Sequence, residues 1–260
     1  MNVEYRIDGP ATKPALVLSS SLGTTWELWD EQLRVLEHDF LVVRYDHPGH
    51  GRSPTPAGPI TVEALADGVV ELLDELELES ASFCGLSLGG MVGMALAAQA
   101  PERVDRLVLS CTAAYLGPPE DWFERAQLVR SEGMAAVVER VVARWFTERF
   151  RVEQPSTVAR YRDMLERTPP EGYALCCEAI AEWDFRTGLC AITAPTLVIV
   201  GADDVATPPE NGSRIADSIR GAELAILPHA AHLANVQQPT LFNQKLLVHV
   251  MIPAARGEPV

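Results

Sequence analysis

Six short apolar, β-branched runs punctuate the chain: ALVLS at 15–19, FLVVRY at 40–45, ASFCG at 81–85, RLVLS at 106–110, TLVIV at 196–200 and LAIL at 224–227. Runs of this length, bounded by polar and turn residues, read as buried strands. Between most of them the period changes. Val62, Leu65, Val69, Leu72, Leu73 and Leu76 recur at three- and four-residue steps, the spacing of a helix that lays one apolar stripe on a sheet. Alternating strand and helix predicts a mostly parallel α/β sheet flanked by helices. VEYRI at 3–7 carries Val3, Tyr5 and Ile7 on one face and suits an antiparallel strand at the sheet edge.

From Tyr115 to Leu189 the alternation stops. Only helical stretches remain, at Trp122 to Ser131, Met134 to Phe146 and Val158 to Leu165, and the sheet resumes at Ala194-Pro195-Thr196. The pattern predicts a core domain built from 1–114 and 190–260, with a helical cap, or lid, at 115–189 inserted between two strands. No internal repeat or low-complexity tract interrupts this plan.

Composition narrows the partners. A formal charge of −15 on 260 residues disfavours nucleic acid and anionic membrane, because a phosphate surface meets repulsion over most of the protein. An anionic small molecule needs a local cationic pocket. The start MNVEYRIDGP lacks a basic, apolar leader and no apolar run is long enough to span a bilayer, so the expected location is cytoplasmic. The cysteines have neither zinc-site nor redox-pair spacing and are expected to be buried thiols. The sequence is silent on oligomeric state.

Candidate chemistry clusters at predicted strand ends, where open parallel sheets place their ligands. After ASFCG, the stretch Gly85-Leu86-Ser87-Leu88-Gly89 has the Gly-x-Ser-x-Gly spacing of a nucleophile elbow, a sharp strand-to-helix turn that needs small flanks. After TLVIV come Asp203 and Asp204, and after LAIL come His229 and His232. A serine hydroxyl is a weak nucleophile until a neutral imidazole takes its proton, and a carboxylate fixes the imidazole tautomer. Asp204 is preferred as the acid because its offset from Gly201 carries it past the strand end, with Asp203 the alternative. His232 is preferred as the base because it lies far enough along its loop to fold back over Ser87, with His229 the alternative.

Acyl transfer also requires two N–H donors aimed at the developing oxyanion. Leu88, the residue after the nucleophile, supplies one. Leu22, in Ser20-Ser21-Leu22-Gly23-Thr24, is the choice for the other, with Ser21 or Gly23 as fallback. Asp46-His47-Pro48-Gly49-His50-Gly51-Arg52-Ser53 is rich in histidine but has no partner set for a metal. It reads instead as a turn near the elbow held by hydrogen bonds from Asp46, His50 and Arg52.

With these residues in place, the chain resembles the α/β-hydrolase family and, within it, the 3-oxoadipate enol-lactonases. The likeness spans nearly the whole chain through SSSLGTTWELWD, YDHPGHGRS, FCGLSLGGMVG, RWFTERF, APTLVIVGADDVATPP and HAAHLANVQQP. The elbow and strand-end motifs identify the superfamily, while SLGTT, RWFTERF and AAHLANVQQP point to the lactonases. Two departures stand out: Ser20-Ser21 where lactonases often have Asn-Ser, and His-Pro-Gly-His where relatives have Arg-Gly-His-Gly. The resemblance implies cofactor-free hydrolysis of a small anionic enol-lactone through an acyl-enzyme. It also raises Trp145 and Arg144 of RWFTERF to substrate-binding candidates, Arg144 for the substrate carboxylate, with Arg130, Arg149 and Arg186 as alternative cations. Another small-ester or lactone hydrolase, or a cofactor-free perhydrolase, would use the same residues, and a non-catalytic receptor on the same scaffold is the reading from outside enzymology.

Overall fold

The computed structural model describes residues 3–252. The outer limits 1 and 260 of the expected core, and the first two residues used to exclude a leader, therefore lie outside the described residues. The strands are β1 (Tyr5–Asp8), β2 (Ala15–Ser19), β3 (Leu41–Tyr45), β4 (Ala81–Leu86), β5 (Val104–Ser110), β6 (Thr196–Gly201) and β7 (Glu223–Leu227). They form one sheet in the order β1-β3-β2-β4-β5-β6-β7. Strand β1 runs antiparallel to β3, with Tyr5 opposite Tyr45, and every other pair is parallel. The mostly parallel sheet expected from the alternation is the one observed.

The central strands are apolar on both faces because helices cover both, so Leu16, Val17 and Leu18 are all fully buried. Strand β7 differs. Its burial pattern leaves Leu224 38% and Ile226 53% exposed, which corrects the reading of LAIL as a buried strand. As the terminal strand it has one neighbour, and only Ala225 and Leu227 turn inward. Ile7 on β1, the other edge, is likewise 44% exposed.

The helices flanking the first strands are α1 (Asp30–Leu36), α2 (Val62–Glu75) and α3 (Leu88–Gln99). Helix α2 starts where the Thr61 side chain accepts the Ala64 N–H at 3.1 Å, and buries the stripe Val62, Leu65, Val69, Leu72 and Leu73. Each such side chain contributes about 1.5–3 kcal/mol when fully removed from water. Leu76 falls just beyond the helix end.

Between β5 and β6 the chain forms five helices: α4 (Pro119–Glu132), α5 (Ala135–Trp145), α6 (Glu148–Glu153), α7 (Pro155–Glu166) and α8 (Pro170–Ala181). An antiparallel bridge between Tyr115 and Asp184, and the Phe185 N–H on the Ala114 carbonyl at 2.8 Å, close the neck of this block. The hydrophobic pattern marks α4, α5 and α7 but passes over α6 and α8. Helix α6 has only six residues. Helix α8 is buried from Gly172 to Cys177 and again from Ala179 to Ala181, so no polar stripe reveals its period. After β6 come α9 (Pro209–Ser218), α10 (Ala234–Gln237) and α11 (Pro239–Val250).

Cys84, Cys111, Cys176 and Cys177 are buried thiols as expected, but Cys190 is exposed. It lies in a short turn after the helical block, outside any apolar period. No helix among the described residues is long and apolar enough to cross a membrane.

Candidate active site

Strand β4 ends at Leu86 and α3 begins at Leu88, so Ser87 alone turns the chain, at φ 58° and ψ −113°. A non-glycine residue held at positive φ is strained and persists only where its surroundings fix it. Here the Ser87 N–H donates to the Ser110 carbonyl at 2.9 Å, and the Ser87 carbonyl accepts from the Thr112 hydroxyl at 2.7 Å. The flanking glycines are steric necessities. A Cβ at Gly85 would stand 2.0 Å from the Gly89 carbonyl oxygen, and one at Gly89 would stand 2.2 Å from that of Ser19.

Two further strand ends bring an acid and an imidazole to the same place. His232 donates from Nδ1 to Asp204 Oδ2 at 2.9 Å. Asp204 also accepts the Ala206 and Thr207 N–H groups on Oδ1, at 2.8 and 3.0 Å, and the Thr207 hydroxyl on Oδ2 at 2.7 Å. Burial pushes this carboxyl up, but the neighbouring His232 and the Thr207 donors outweigh it and hold Asp204 below the ordinary carboxylate range. With the Nδ1 proton committed to the carboxylate, Nε2 is the ring's basic nitrogen. Asp204 and His232 are 3% and 4% exposed. Asp203 and His229 are exposed; the Asp203 N–H binds the Ala230 carbonyl at 2.9 Å, and His229 sits at φ 56°.

The loop after β2 approaches from the other side. Ser21 and Leu22 line the cavity that holds Ser87 and His232, about 50 Å³ in volume. The Ser20 carbonyl anchors this loop by accepting the Gly89 N–H at 3.1 Å and His47 Nε2–H at 2.8 Å. Burial, with His50 nearby, depresses His47 to about 3, and burial depresses His50 to about 4, so both rings are neutral at ordinary pH. His50 donates from Nδ1 to the Pro48 carbonyl at 3.1 Å.

Asp46 ties the following turn by accepting the Trp26 and Arg52 N–H groups at 2.8 and 3.0 Å. Arg52 enters that network as expected, through its backbone N–H, while its guanidinium lies 5.3 Å from the centre of the Trp26 ring. The indole face offers that guanidinium a π surface. Among the described residues no group of three or more His, Cys, Asp or Glu is placed to hold a metal ion.

The helical block supplies the opposite wall. Trp145 is buried at the end of α5 and lines the cavity, and its carbonyl accepts the Leu233 N–H at 3.1 Å, one residue from His232. Arg144 lines the cavity and is exposed. Of the alternative cations, Arg130 binds Glu171 and Glu178, Arg149 binds Glu153 and Arg186 binds Asp184, and none lines this cavity. Sequence reasoning missed Arg125 and Tyr173, which do line it, and Thr207, which braces Asp204. Arg125 had a weak signal, its three-residue offset from Trp122, over whose ring it lies 5.0 Å from the centroid.

A family model described as the alpha/beta hydrolase fold matches residues 14–239. The chain belongs to the alpha/beta hydrolase fold family. Within it, the chain is 40% identical over 241 residues to 3-oxoadipate enol-lactonase 2 of Acinetobacter baylyi, covering 93% of this chain and 90% of that protein. Among solved structures, the enol-lactonase from Burkholderia xenovorans LB400 superposes with a TM-score of 0.93 at 42% identity, covering 95% of each chain. A hydrolase from Pseudomonas aeruginosa superposes with a TM-score of 0.93 at 45% identity, covering 96% of this chain and 94% of that one. The resemblance to enol-lactonases drawn from the motifs is therefore matched by relatives of that name over 93% and 95% of the chain.

Proposed function

We propose that this alpha/beta hydrolase is a serine hydrolase that opens a small carboxylated enol-lactone, of the 3-oxoadipate enol-lactone type, through an acyl-enzyme. The observation that carries the reading is a single cavity shared by a strained serine, a histidine held by a carboxylate, and arginines that have no ion-pair partner among the described residues. Its closest support in chemistry is the match between those groups and the substrate of an enol-lactonase, an ester carbonyl beside a free carboxylate.

Ser87 Oγ attacks the lactone carbonyl while His232 Nε2 takes its proton, and Asp204 stabilises the imidazolium. The oxyanion is received by the N–H groups of Leu22 and Leu88; Leu88 opens α3, where first-turn N–H groups have no intrahelical acceptor. Collapse breaks the ring C–O bond, and the enol oxygen leaves with the proton from His232, then tautomerises to the ketone. Water attacks the acyl-enzyme as His232 accepts its proton, and Ser87 departs reprotonated. Trp145 walls the acyl pocket, Arg144 faces the free carboxylate, and the block 115–189 serves as the lid that excludes water. No cofactor enters any step.

Spectrophotometric loss of the enol-lactone tests this directly. Turnover by the wild type, and none by Ser87→Ala, is expected. Hydrolysis of neutral esters or perhydrolysis without lactone opening would reassign the substrate and leave the serine chemistry standing.

A further inference from the structure

Beside the Ser87 cavity lies a second, larger space of about 460 Å³, open to solvent past Val205. The two share the walls Leu116, Trp122, Arg125, Arg144 and Ala206, so the outer space is a vestibule to the inner one. Arg140 lines the vestibule alone and does not reach the inner cavity.

Three guanidinium groups thus converge there, Arg125 from α4 and Arg140 and Arg144 from α5. Among the described residues none of the three has an ion-pair partner, whereas Arg130, Arg149, Arg160, Arg162 and Arg186 of the same region all hold carboxylates. Among the described residues Arg151 and Arg167 also form no ion pair, but neither lines this space. Asp121 and Glu124 stand on the rim without pairing to the three arginines.

The arrangement works against the fold. Arg140 and Arg144 are one helical turn apart, and like charges at that spacing disfavour a helix. Burial and the charges of Arg125 and Arg140 pull the Arg144 pKa down, with Asp121 and Tyr173 opposing. In a chain of net charge −15 carboxylates are plentiful, yet among the described residues none forms an ion pair with these three arginines, Asp121 and Glu124 on the rim included. A local cationic mouth on an acidic protein is what an anionic ligand needs to approach it.

We propose that the vestibule walled by Arg125, Arg140 and Arg144 is a capture site for small carboxylates, with Arg140 the outer cation that draws an anionic acyl substrate toward Ser87. This rests on the proposed function for the identity of the substrate, but not for the binding itself. Arg140 contributes to encounter and selectivity, and the chemical step belongs to the inner cavity.

The test compares wild type with Arg140→Gln and Arg140→Lys. The readout is the ratio of kcat/KM on the carboxylated enol-lactone to that on 4-nitrophenyl acetate, at about 20 mM and about 500 mM NaCl. At low salt Arg140→Gln should lower this ratio about three- to tenfold, chiefly through the lactone's KM, and Arg140→Lys should restore most of it. The difference should close at high salt. In a second arm, adipate is titrated calorimetrically into each protein, and its Kd should weaken several-fold in Arg140→Gln.

An unchanged ratio at low salt, a loss that survives high salt and is not rescued by lysine, or adipate affinity indifferent to Arg140 would overturn the capture site. Wild type that binds adipate through Arg140 but leaves the lactone intact would sustain the capture site while sinking the enol-lactone reading. Ready lactone turnover with no role for Arg140 would do the reverse.

Discussion

The two walls of the Ser87 cavity are held by different forces. On the sheet side, Ser87, Asp204 and His232 are 8%, 3% and 4% exposed, and each is fixed by backbone hydrogen bonds or by a buried partner. On the helical side, Arg144 is exposed and Arg125 only half-buried, and much of the electrostatic bracing consists of surface ion pairs such as Arg130 with Glu171 and Arg162 with Glu139. Exposed pairs of this kind contribute little, typically under about 1 kcal/mol each. Ser87, Asp204 and His232 sit where a displacement is costly, whereas Arg125 and Arg144 sit where a side chain moves cheaply.

The sharpest way to break that comparison is at Ser87. Replacement by alanine keeps the turn and the packing, so the far-ultraviolet spectrum and Tm should stay near wild type while kcat falls on the order of a million-fold. Retained turnover would place the nucleophile elsewhere. On the same wall, Asp204→Asn should lower kcat about ten-thousand-fold, because an amide favours the wrong imidazole tautomer. Asp203→Asn, whose side chain faces solvent, should leave it within a few-fold. The ranking of the two variants in steady-state assays is the measurement.

On the helical wall the expected effects are smaller and selective. On the proposed function, Arg144→Ala removes a charged hydrogen bond to the substrate carboxylate from an exposed position, so a loss of about 1 kcal/mol, five- to tenfold in kcat/KM, is expected on the carboxylated lactone. A neutral ester of similar size should lose less. Equal losses on both substrates would mean that Arg144 supports the block and does not read the acid.

The smallest effect concerns stability against pH on the sheet side. His47 and His50 are depressed to about 3 and about 4, so between the unfolded value near 6.5 and pH 4 the unfolded chain takes up protons that the folded chain refuses. Stability from these two groups is full above the unfolded pKa and is lost as pH falls through that window. Asp46, raised to about 6 by burial, acts in the opposite sense between about 4 and 6 and cancels part of the slope. The net expectation is a loss on the order of 1 kcal/mol per pH unit, read as a Tm that drops by a few degrees per unit below pH 6.5. His47→Gln, which cannot titrate but retains a donor for the Ser20 carbonyl, should show a shallower drop. An equal slope in both proteins would show that His47 is not held neutral.

The sequence by itself determined the strand runs, the change of period from strand to helix, and the Ser, Asp, His succession at strand ends. These are local signals: strand and helix periods repeat within a few residues, and Gly85 and Gly89 are dictated by the turn they flank. It also chose Asp204 over Asp203 and His232 over His229, the pair that the structure joins at 2.9 Å.

What the tertiary structure alone decided are matters of surroundings. Helix α8 is surrounded on nearly every side, so its sequence carries no stripe, and LAIL reads as buried although β7 has open space on one side. Arg144 stands out only through the resemblance of RWFTERF, Arg140 looks like any other helical arginine, and Arg130 looks like a better candidate than Arg125 until Glu171 and Glu178 are found across from it on α8. Which cation is free and which is spent depends on what a neighbouring element presents at a few ångströms, and no period within a single segment records that.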